Sequence, residues 1–335
     1  MDDPLLEEVT HLCINEVHER NADIDLLLAL AKQVIERRAN HKTLSPLHLV
    51  LMSAMLEASH WESFFGNGEK QDIAFVDVPD TRRFPIDIVH LCEPTFPKKL
   101  KSIKALQNRD SIGLDHDEAL CQATAELASN LFKTSDLDGG SILCFLPGMD
   151  EIRLVDRLLR QYARGKQQYT VRYLHSNLSS KEQAKVFLPG PNVILSTNLA
   201  ETSVTIPDVK VVIDTGRERQ FSLLESTEDS TTVVGSQLAT VDISQASAKQ
   251  RAGRAGRVSA GTCYRLYSVR QLEDVFAPYT FPEMLRMDLS QLLLHSLSLY
   301  HPTSGHPLSL LLGAPDPPSP SRLKQTVRGL TYQGL

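Results

Sequence analysis

The stretch NVILSTNLAETSVTIPDVKVVIDTG (residues 192–216) places two short apolar, β-branched runs on either side of a polar loop. The runs NVILST (192–197) and VKVVID (209–214) have the length and composition of buried strands. The loop between them is rich in hydroxyl and amide side chains. In open parallel sheets, ligands bind beyond the carboxyl ends of the strands. The stretch therefore predicts a buried sheet with a polar site at its edge.

Short apolar runs alternate with amphipathic segments through most of the chain. Further predicted strands are VTHLCI (9–14), HLVLM (48–52), SILCFL (141–146), YTVRYL (169–174) and TCYRLY (262–267). Helical periodicity predicts helices at 22–38, 149–164 and 179–187. This alternation indicates βαβ units, and so an α/β fold with parallel sheets.

Interruptions of the pattern divide the chain into three predicted parts. The stretch 94–115 has no clear period, and DLDGG (136–140) precedes the next strand. Near the C-terminus the pattern changes to helices, at 288–300 and 321–332. We therefore expect domains at 1–93, 94–278 and 279–335.

Composition limits the classes of function. The chain has 335 residues, of which 41% are hydrophobic and 23% charged, as in ordinary globular proteins. Its net charge is −6, so a bound nucleic acid must meet a local basic surface. The five cysteines form no CxxC pair, which favours reduced thiols over a zinc site. No apolar run approaches the roughly 18 residues of a membrane span, and the acidic start is unlike a signal peptide. We expect a cytoplasmic or nuclear protein with no membrane partner.

An arginine-rich segment, SQASAKQRAGRAGR (244–257), contains the residues best suited to hold a phosphate. Read as a helix, it places Gln250, Arg254 and Arg257 at i, i+4 and i+7 on one face and directs Arg251 elsewhere. Planar guanidinium groups bind phosphate oxygens, and an adjacent amide suits the same task. The spacing therefore predicts a site that stabilises a phosphate during its transfer.

Two glycines interrupt this segment. Gly253 and Gly256 each cost about 1 kcal/mol relative to alanine in a helix interior. Their presence indicates that another group lies close to the backbone. A solvated basic turn is the alternative interpretation.

Polar residues also follow the other predicted strands. NEVHER (15–20) comes directly after the first strand, where Glu16 is placed to bind Mg²⁺ or to polarise water. Taken alone, the segment is explained equally well as a solvated helix start. The second strand is followed by SAM (53–55), which alone is uninformative. The loop after 192–197 offers groups that suit a sugar-phosphate backbone, although an ordinary capped loop explains them equally well. These groups belong to Thr197, Asn198, Glu201 and Thr202.

In order and spacing, these segments resemble motifs II to VI of the DEAH-box RNA helicases. The matching segments are NEVHER (15–20), LMSAM (51–55), LCFLPGMDEI (143–152), LHSNLSSKEQAKVF (174–187), LSTNLAETSVTIPDVKVVIDTG (195–216) and QASAKQRAGRAGR (245–257). The resemblance extends from about residue 4 to 335. It implies two RecA-like lobes that close on ATP, the first of them truncated at its N-terminus, followed by a partial winged-helix domain. The implied function is ATP-dependent RNA unwinding or ribonucleoprotein remodelling in a full-length parent protein, with ATP and Mg²⁺ as cofactors.

The resemblance also implies roles for individual residues. Glu16 would bind the metal and orient the attacking water, and Asn15 would belong to the same metal shell. The other catalytic residues would be Gln250, Arg254 and Arg257, which reach the γ-phosphate. Further ATP contacts would come from His18, Phe187, Thr202 and Asp208, with Phe187 stacking on adenine. RNA would meet Gly148, Ser176, Thr197 and Asn198. Coupling between the two ligands would involve Ser53 and Met55, and a β-hairpin within 215–243 would separate strands.

Three features depart from the family pattern. No GxxxxGK[ST] loop occurs in the sequence, so the usual cradle for the phosphates is missing. Asn15 stands where the family has an acidic residue, and an amide holds a divalent ion less well than a carboxylate does. Met55 stands where the family has a threonine, which removes a hydroxyl. We therefore expect this polypeptide by itself not to hydrolyse ATP.

These departures leave alternatives open. A catalytically degenerate helicase that acts as an RNA- or partner-binding scaffold is consistent with Asn15 and Met55. The intact Gln250, Arg254 and Arg257 favour an active helicase. A DNA-directed helicase is a weaker alternative, distinguished by strand preference. Protein activators or ribonucleoprotein components are expected as partners besides RNA.

Overall fold

The computed structural model describes residues 3–55, 57–66, 73–78, 84–97, 100–107, 114–134, 137, 139–163, 169–202, 204–223, 235–299 and 308–332. The chain divides into two units. Unit 1 comprises residues 1–78, 221–239 and 280–335, and unit 2 comprises residues 79–220 and 240–279.

The regular elements are numbered in chain order. The strands are β1 (His11–Ile14), β2 (His48–Leu51), β3 (Ile86–His90), β4 (Ser141–Phe145), β5 (Thr170–Leu174), β6 (Asn192–Ser196), β7 (Val209–Asp214), β8 (Arg217–Leu223), β9 (Ser236–Asp242) and β10 (Gly261–Arg265). The α-helices are α1 (Ala22–Ala39), α2 (Ala58–Phe65), α3 (Lys101–Gln107), α4 (Leu114–Thr134), α5 (Met149–Ala163), α6 (Ser180–Gln183), α7 (Gln245–Ala252), α8 (Val269–Asp274), α9 (Ser290–Ser298), α10 (Ser309–Leu312) and α11 (Pro320–Tyr332). Short 3-10 helices are Val17–Glu19, Ala184–Phe187, Asn198–Ala200 and Glu283–Leu285.

Unit 2 is built on a parallel six-stranded sheet with the order β3-β10-β7-β4-β6-β5. Its interior strands β4 and β6 are buried along their whole length, because a parallel sheet is covered on both faces. Alternate residues of β4 enter different cores. Ile142 and Cys144 pack in a cluster with apolar residues of α4 and α5, whereas Leu143 and Phe145 pack with Ala252 and its neighbours. The predicted α/β class with parallel sheets is confirmed.

The first strand of this sheet, β3, was not predicted. It pairs with β10 from Gly261↔Ile86 to Arg265↔His90. Because β3 lies at the edge of the sheet, it is only partly buried and lacks the continuous apolar run that marks β4 and β6. In the division of the chain into units, β3 belongs to unit 2. The first of the four divisions between the units falls between residues 78 and 79.

In unit 1, β1 and β2 form a parallel pair, and α1 packs against two clusters. Leu28 and Ala31 of α1 join Ile14, Val17 and Trp61. Other α1 residues join a second core with leucines of α9, α10 and α11. The apolar members of that second core include Ala22, Leu26, Ala29, Leu292, Leu293, Leu310, Leu311, Leu323 and Leu330.

Some of the remaining elements match the prediction, whereas α3 and α4 were not predicted. β8 and β9 form a two-stranded sheet within the expected hairpin region 215–243, and its connection at 224–234 lies outside the described residues. The predicted helix 179–187 consists of α6 followed by a 3-10 turn. Within the unperiodic stretch 94–115, α3 forms and α4 begins. In the described part of the chain, no helix is long and apolar enough to cross a membrane.

Candidate nucleotide and RNA sites

The two predicted site segments of unit 1 lie side by side because β1 and β2 are paired in parallel. The amide of Met52 donates to the carbonyl of Ile14 over 2.8 Å, and the amide of Val17 donates to the carbonyl of Met52 over 3.2 Å. These bonds align the carboxyl ends of the strands. Asn15 and Glu16 therefore adjoin the turn 53–55.

His18 connects these two segments. Its Nδ1 lies 3.5 Å from Oε2 of Glu16 and 3.4 Å from the amide nitrogen of Ala54. Glu16 has φ 57° and ψ 35°, in the left-handed region that non-glycine residues seldom adopt, and its side chain is 39% exposed. The hydroxyl of Ser53 is hydrogen-bonded within the turn to the backbone of Met55. His18 therefore joins the predicted metal-binding segment to the predicted coupling segment, although Met55 has no hydroxyl group.

The chemistry of these donors suits a weakly held Mg²⁺. Among the described residues, no group of three His, Cys, Asp or Glu side chains lies close enough to hold a metal ion. Mg²⁺ commonly binds through one or two carboxylates together with substrate phosphates and water. Glu16 fits that pattern, and the exposed amide of Asn15 adds a neutral oxygen where a second carboxylate would bind more strongly.

The prediction that one helix carries Gln250, Arg254 and Arg257 on a single face is wrong for the two arginines. α7 ends at Ala252, and residues 253–256 form turns, so Arg254 and Arg257 lie beyond the helix. The expected close approach at the glycines is present at Gly256. A Cβ there would lie 2.6 Å from Cγ1 of Ile86 in β3. A glycine is therefore needed at this position because β3 of the sheet packs against its α-carbon.

Arg251 does point elsewhere, into the interior of unit 2. Its side chain is fully buried, with Nε 3.0 Å from Oε2 of Glu201 and Nη1 3.0 Å from Oδ1 of Asp214. Nη2 lies 3.7 Å from Oε2 of Glu218. The guanidinium carbon lies 4.9 Å from the ring centroid of Phe145. These carboxylates raise the pKa of Arg251 despite its burial, so the group is charged.

This contact corrects the interpretation of Glu201. The sequence placed Glu201 among groups that suit a sugar-phosphate backbone. In the structure the residue is 8% exposed, and it accepts hydrogen bonds from Arg251 and from the hydroxyl of Ser247. Glu201 therefore anchors the loop to α7.

The two other arginines hold the second half of the same loop. Nη1 of Arg254 donates to the carbonyl of Val204 over 3.2 Å, and Nη1 of Arg257 donates to the hydroxyl of Thr205. Gln250, at the end of α7, is half-buried. The guanidinium groups of Arg254 and Arg257 therefore bond to consecutive residues of one loop.

The residues predicted to contact RNA follow three neighbouring strands. The amide of Leu146 donates to Ser196 over 2.8 Å, and the amide of Thr197 donates to Leu174 over 3.3 Å, so the carboxyl ends of β4, β6 and β5 are aligned. Ser176 and Asn198 are exposed at this edge. Thr197 and Gly148 are buried at this edge, so the side chain of Thr197 and the α-carbon of Gly148 have little access to a ligand.

The other predicted ATP contacts lie apart from the arginine pair in sequence. Phe187 ends a 3-10 turn and is 47% exposed, so its ring is accessible for stacking. Thr202 is half-buried. Asp208 is exposed and has φ 60°, in the left-handed region.

Sequence reasoning missed Arg219, on β8. Its Nη2 lies 3.1 Å from Oε1 of Glu151 and 3.4 Å from Oδ2 of Asp150, at the start of α5. Its side chain also crosses the α-carbon of Gly148. Nothing in the local pattern marks this arginine, because its neighbours come from a distant part of the chain.

Comparisons with known proteins agree with this architecture. The model of the helicase conserved C-terminal domain matches residues 122–259. RNA editing associated helicase 2 of Trypanosoma brucei brucei is 33% identical, in an alignment that covers 99% of this chain and 16% of that protein. ATP-dependent RNA helicase DHX29 of Homo sapiens is 32% identical over 95% of this chain and 26% of its own length.

A solved structure shows the same fold. The crystal structure of the Escherichia coli DEAH/RHA helicase HrpB matches with a TM-score of 0.71 and 30% identity, over 98% of this chain and 36% of that one. The predicted RecA-like character of the lobes is thereby confirmed. The chain spans only 16% to 26% of the length of the two curated relatives. On these matches and on the order of its motifs, the chain belongs to the DExH-box family of helicases.

Proposed function

We propose that this chain serves ATP-dependent unwinding of RNA or remodelling of ribonucleoproteins. The observation that carries the proposal is the composition of one loop, residues 197–206. Its first half holds Asn198, whose exposed amide suits a sugar-phosphate backbone. Its second half bonds to Arg254 and Arg257, which suit a transferred phosphate.

The names of the relatives support this proposal. DHX29 and the chloroplastic DExH4 of Arabidopsis thaliana are both described as ATP-dependent RNA helicases. Because the chain spans a minor part of each, the activity and substrate of the whole protein are inferred from the residues present.

Residues that suit the metal ion or a phosphate occur in each unit taken by itself. In unit 1, Glu16 would hold Mg²⁺ and orient the attacking water, with Asn15 and His18 beside it. In unit 2, Arg254 and Arg257 stabilise charge on the transferred phosphoryl group, and Gln250 helps to place the water. The exposed ring of Phe187 stacks on the base, a contact that tolerates different bases.

Strand preference tests the RNA part of the proposal. Labelled single-stranded RNA and DNA of equal length and sequence are titrated with the chain, and fluorescence anisotropy reports binding. Tighter binding to RNA is expected, because the ribose 2′-hydroxyl offers an additional contact. Asn198→Ala should weaken binding, whereas Arg270→Ala on exposed α8 is the control. Equal or tighter binding to DNA contradicts the proposal.

A scaffold without catalysis is the second candidate, and Asn15 and Met55 favour it. We expect the chain alone to bind RNA without hydrolysing ATP, because it has no GxxxxGK[ST] loop. The scaffold and the active helicase are distinguished in a longer polypeptide in which a GxxxxGK[ST] loop precedes this sequence. RNA-stimulated ATP turnover that Arg254→Ala abolishes would exclude the scaffold. RNA binding with no turnover in that polypeptide would establish it.

A further inference from the structure

The residues predicted from the sequence to contact RNA include no cation. Gly148, Ser176, Thr197 and Asn198 are all uncharged. Contacts between basic side chains and phosphates nevertheless supply most of the sequence-independent affinity for nucleic acid. The net charge of −6 provides no general attraction. A basic side chain close to these residues is therefore needed.

Arg219 of β8 lies at this edge of the sheet. A Cβ added at Gly148 would lie 2.9 Å from both Cζ and Nε of Arg219, and 3.0 Å from its Cδ. The arginine side chain therefore covers the backbone of Gly148, and an alanine there would displace it. This packing also explains why Gly148 itself is buried.

Two carboxylates orient the guanidinium group. Glu151 and Asp150, in the first turn of α5, both contact Nη2 of Arg219. A guanidinium has five N–H donors in one plane, so contacts through Nη2 fix its orientation without using the whole group. The side chain is 34% exposed. It is thus held in place and accessible to an anion.

The charge of Arg219 also reaches the end of β5. Burial and the positive charge of Arg219 lower the pKa of His175, which precedes Ser176. Nδ1 of His175 accepts a hydrogen bond from the amide of Asn177 over 3.0 Å, as a neutral imidazole can. The positive charge at the end of β5 therefore comes from Arg219 and not from His175.

We propose that Arg219 is the phosphate-binding cation of the RNA surface in unit 2, and that Gly148 is the positioning residue that leaves room for it. This inference rests on the proposed function. The ligand is the backbone of single-stranded RNA. Arg219 reads no base, because one guanidinium on a phosphate carries no sequence information.

The salt dependence of RNA binding tests this assignment. A labelled single-stranded oligouridylate is titrated with the whole chain between about 50 and about 200 mM KCl. Arg219→Gln should weaken binding roughly tenfold, as for the loss of one charged hydrogen bond. It should also reduce the slope of log K against log [salt] by about 0.7, the value for one phosphate on a single strand. Arg219→Lys should keep the slope.

A matched control separates this effect from a change in net charge. Arg270 in α8 is 90% exposed and pairs with Asp274 one helical turn away. Arg270→Gln removes the same charge and should leave both slope and affinity unchanged. Equal slopes for wild type and Arg219→Gln, with RNA still bound more tightly than DNA, would overturn this inference alone. Failure of the wild-type chain to bind RNA would overturn both the inference and the proposed RNA function.

A double-mutant cycle tests the role of Gly148. Gly148→Ala should weaken RNA binding in the wild-type background, because its Cβ displaces the guanidinium. In the Arg219→Gln background the same change should have no further effect. Equal losses in both backgrounds would contradict the positioning role. Circular dichroism verifies that each variant is folded.

Discussion

Arg251 shows how a buried charge organises the second unit. One guanidinium faces the carboxylates of Glu201, Asp214 and Glu218, which come from the loop after β6 and from β7 and β8. Asp214 also accepts a hydrogen bond from the hydroxyl of Tyr267 over 2.7 Å. Burial and this carboxylate hold the pKa of Tyr267 well above its usual range. The three carboxylates are compatible with burial only while Arg251 is present.

Removal of Arg251 should therefore destabilise unit 2 severely. Arg251→Ala is expected to lower the free energy of unfolding by about 3 to 5 kcal/mol, because it leaves buried carboxylates facing one another. Urea unfolding monitored by circular dichroism measures the change. Arg270→Ala is the control, and its exposed ion pair should contribute less than about 1 kcal/mol. A loss below about 1 kcal/mol for Arg251→Ala would show that the cluster relaxes or takes up water.

At the scale of elements, the turn from β7 to β8 depends on a glycine. Gly216 has φ +73°, and its carbonyl accepts the amide of Ile243 over 3.0 Å. Its amide donates to Oδ1 of Asp214 over 3.0 Å. A Cβ at Gly216 would lie 2.6 Å from Cδ1 of Tyr267. Backbone conformation and packing therefore both exclude a side chain at this turn.

The two effects can be separated by comparison with Gly139. That residue has the same φ of +73°, but a Cβ there would meet nothing within 4 Å. Gly139→Ala should lower the free energy of unfolding by about 1 kcal/mol, from the backbone alone. Gly216→Ala should lower it by roughly 2 to 4 kcal/mol, since overpacking adds to that. Equal losses in urea unfolding would mean that Tyr267 moves aside freely.

At the scale of the whole molecule, the N-terminal and C-terminal parts of the chain both belong to unit 1. α1 contributes to a core with α9, α10 and α11, although residues 79–220 of the chain belong to the other unit. Glu283, near these C-terminal helices, also binds α1. Its carboxylate accepts the amide of Ala22 over 2.9 Å. The proposed metal-binding segment at Glu16 therefore lies in a unit that the C-terminal residues help to stabilise.

Two leucines of α9 test this shared core. Leu293 is 1% exposed and Leu297 is 40% exposed. Leu293→Ala should lower the stability of unit 1 by about 2 to 5 kcal/mol, because it leaves a cavity. Faster hydrogen exchange of the amides of α1 measures that loss. Leu297→Ala should have a much smaller effect, and equal exchange in the two variants would contradict a core shared by α1 and α9.

The sequence alone determined the α/β class, the approximate bounds of the central strands, and the order of the motifs that identify the family. These features are local. A buried strand such as β4 or β6 needs a continuous apolar run, and a helix such as α5 needs a repeating apolar face. Each can be read from a few neighbouring residues. The domain boundaries and the roles of individual site residues stay predictions.

Only the tertiary structure decided which of several similar residues does what. Arg251, Arg254 and Arg257 have equal spacing, yet Arg251 is buried among carboxylates and the other two bond to a loop. Arg219 covers Gly148 because β8 and the start of α5 meet in space. The edge strand β3 likewise forms because it pairs with β10, which comes from a distant part of the chain. Burial and partner choice depend on contacts between distant residues, and local composition and periodicity do not encode those contacts.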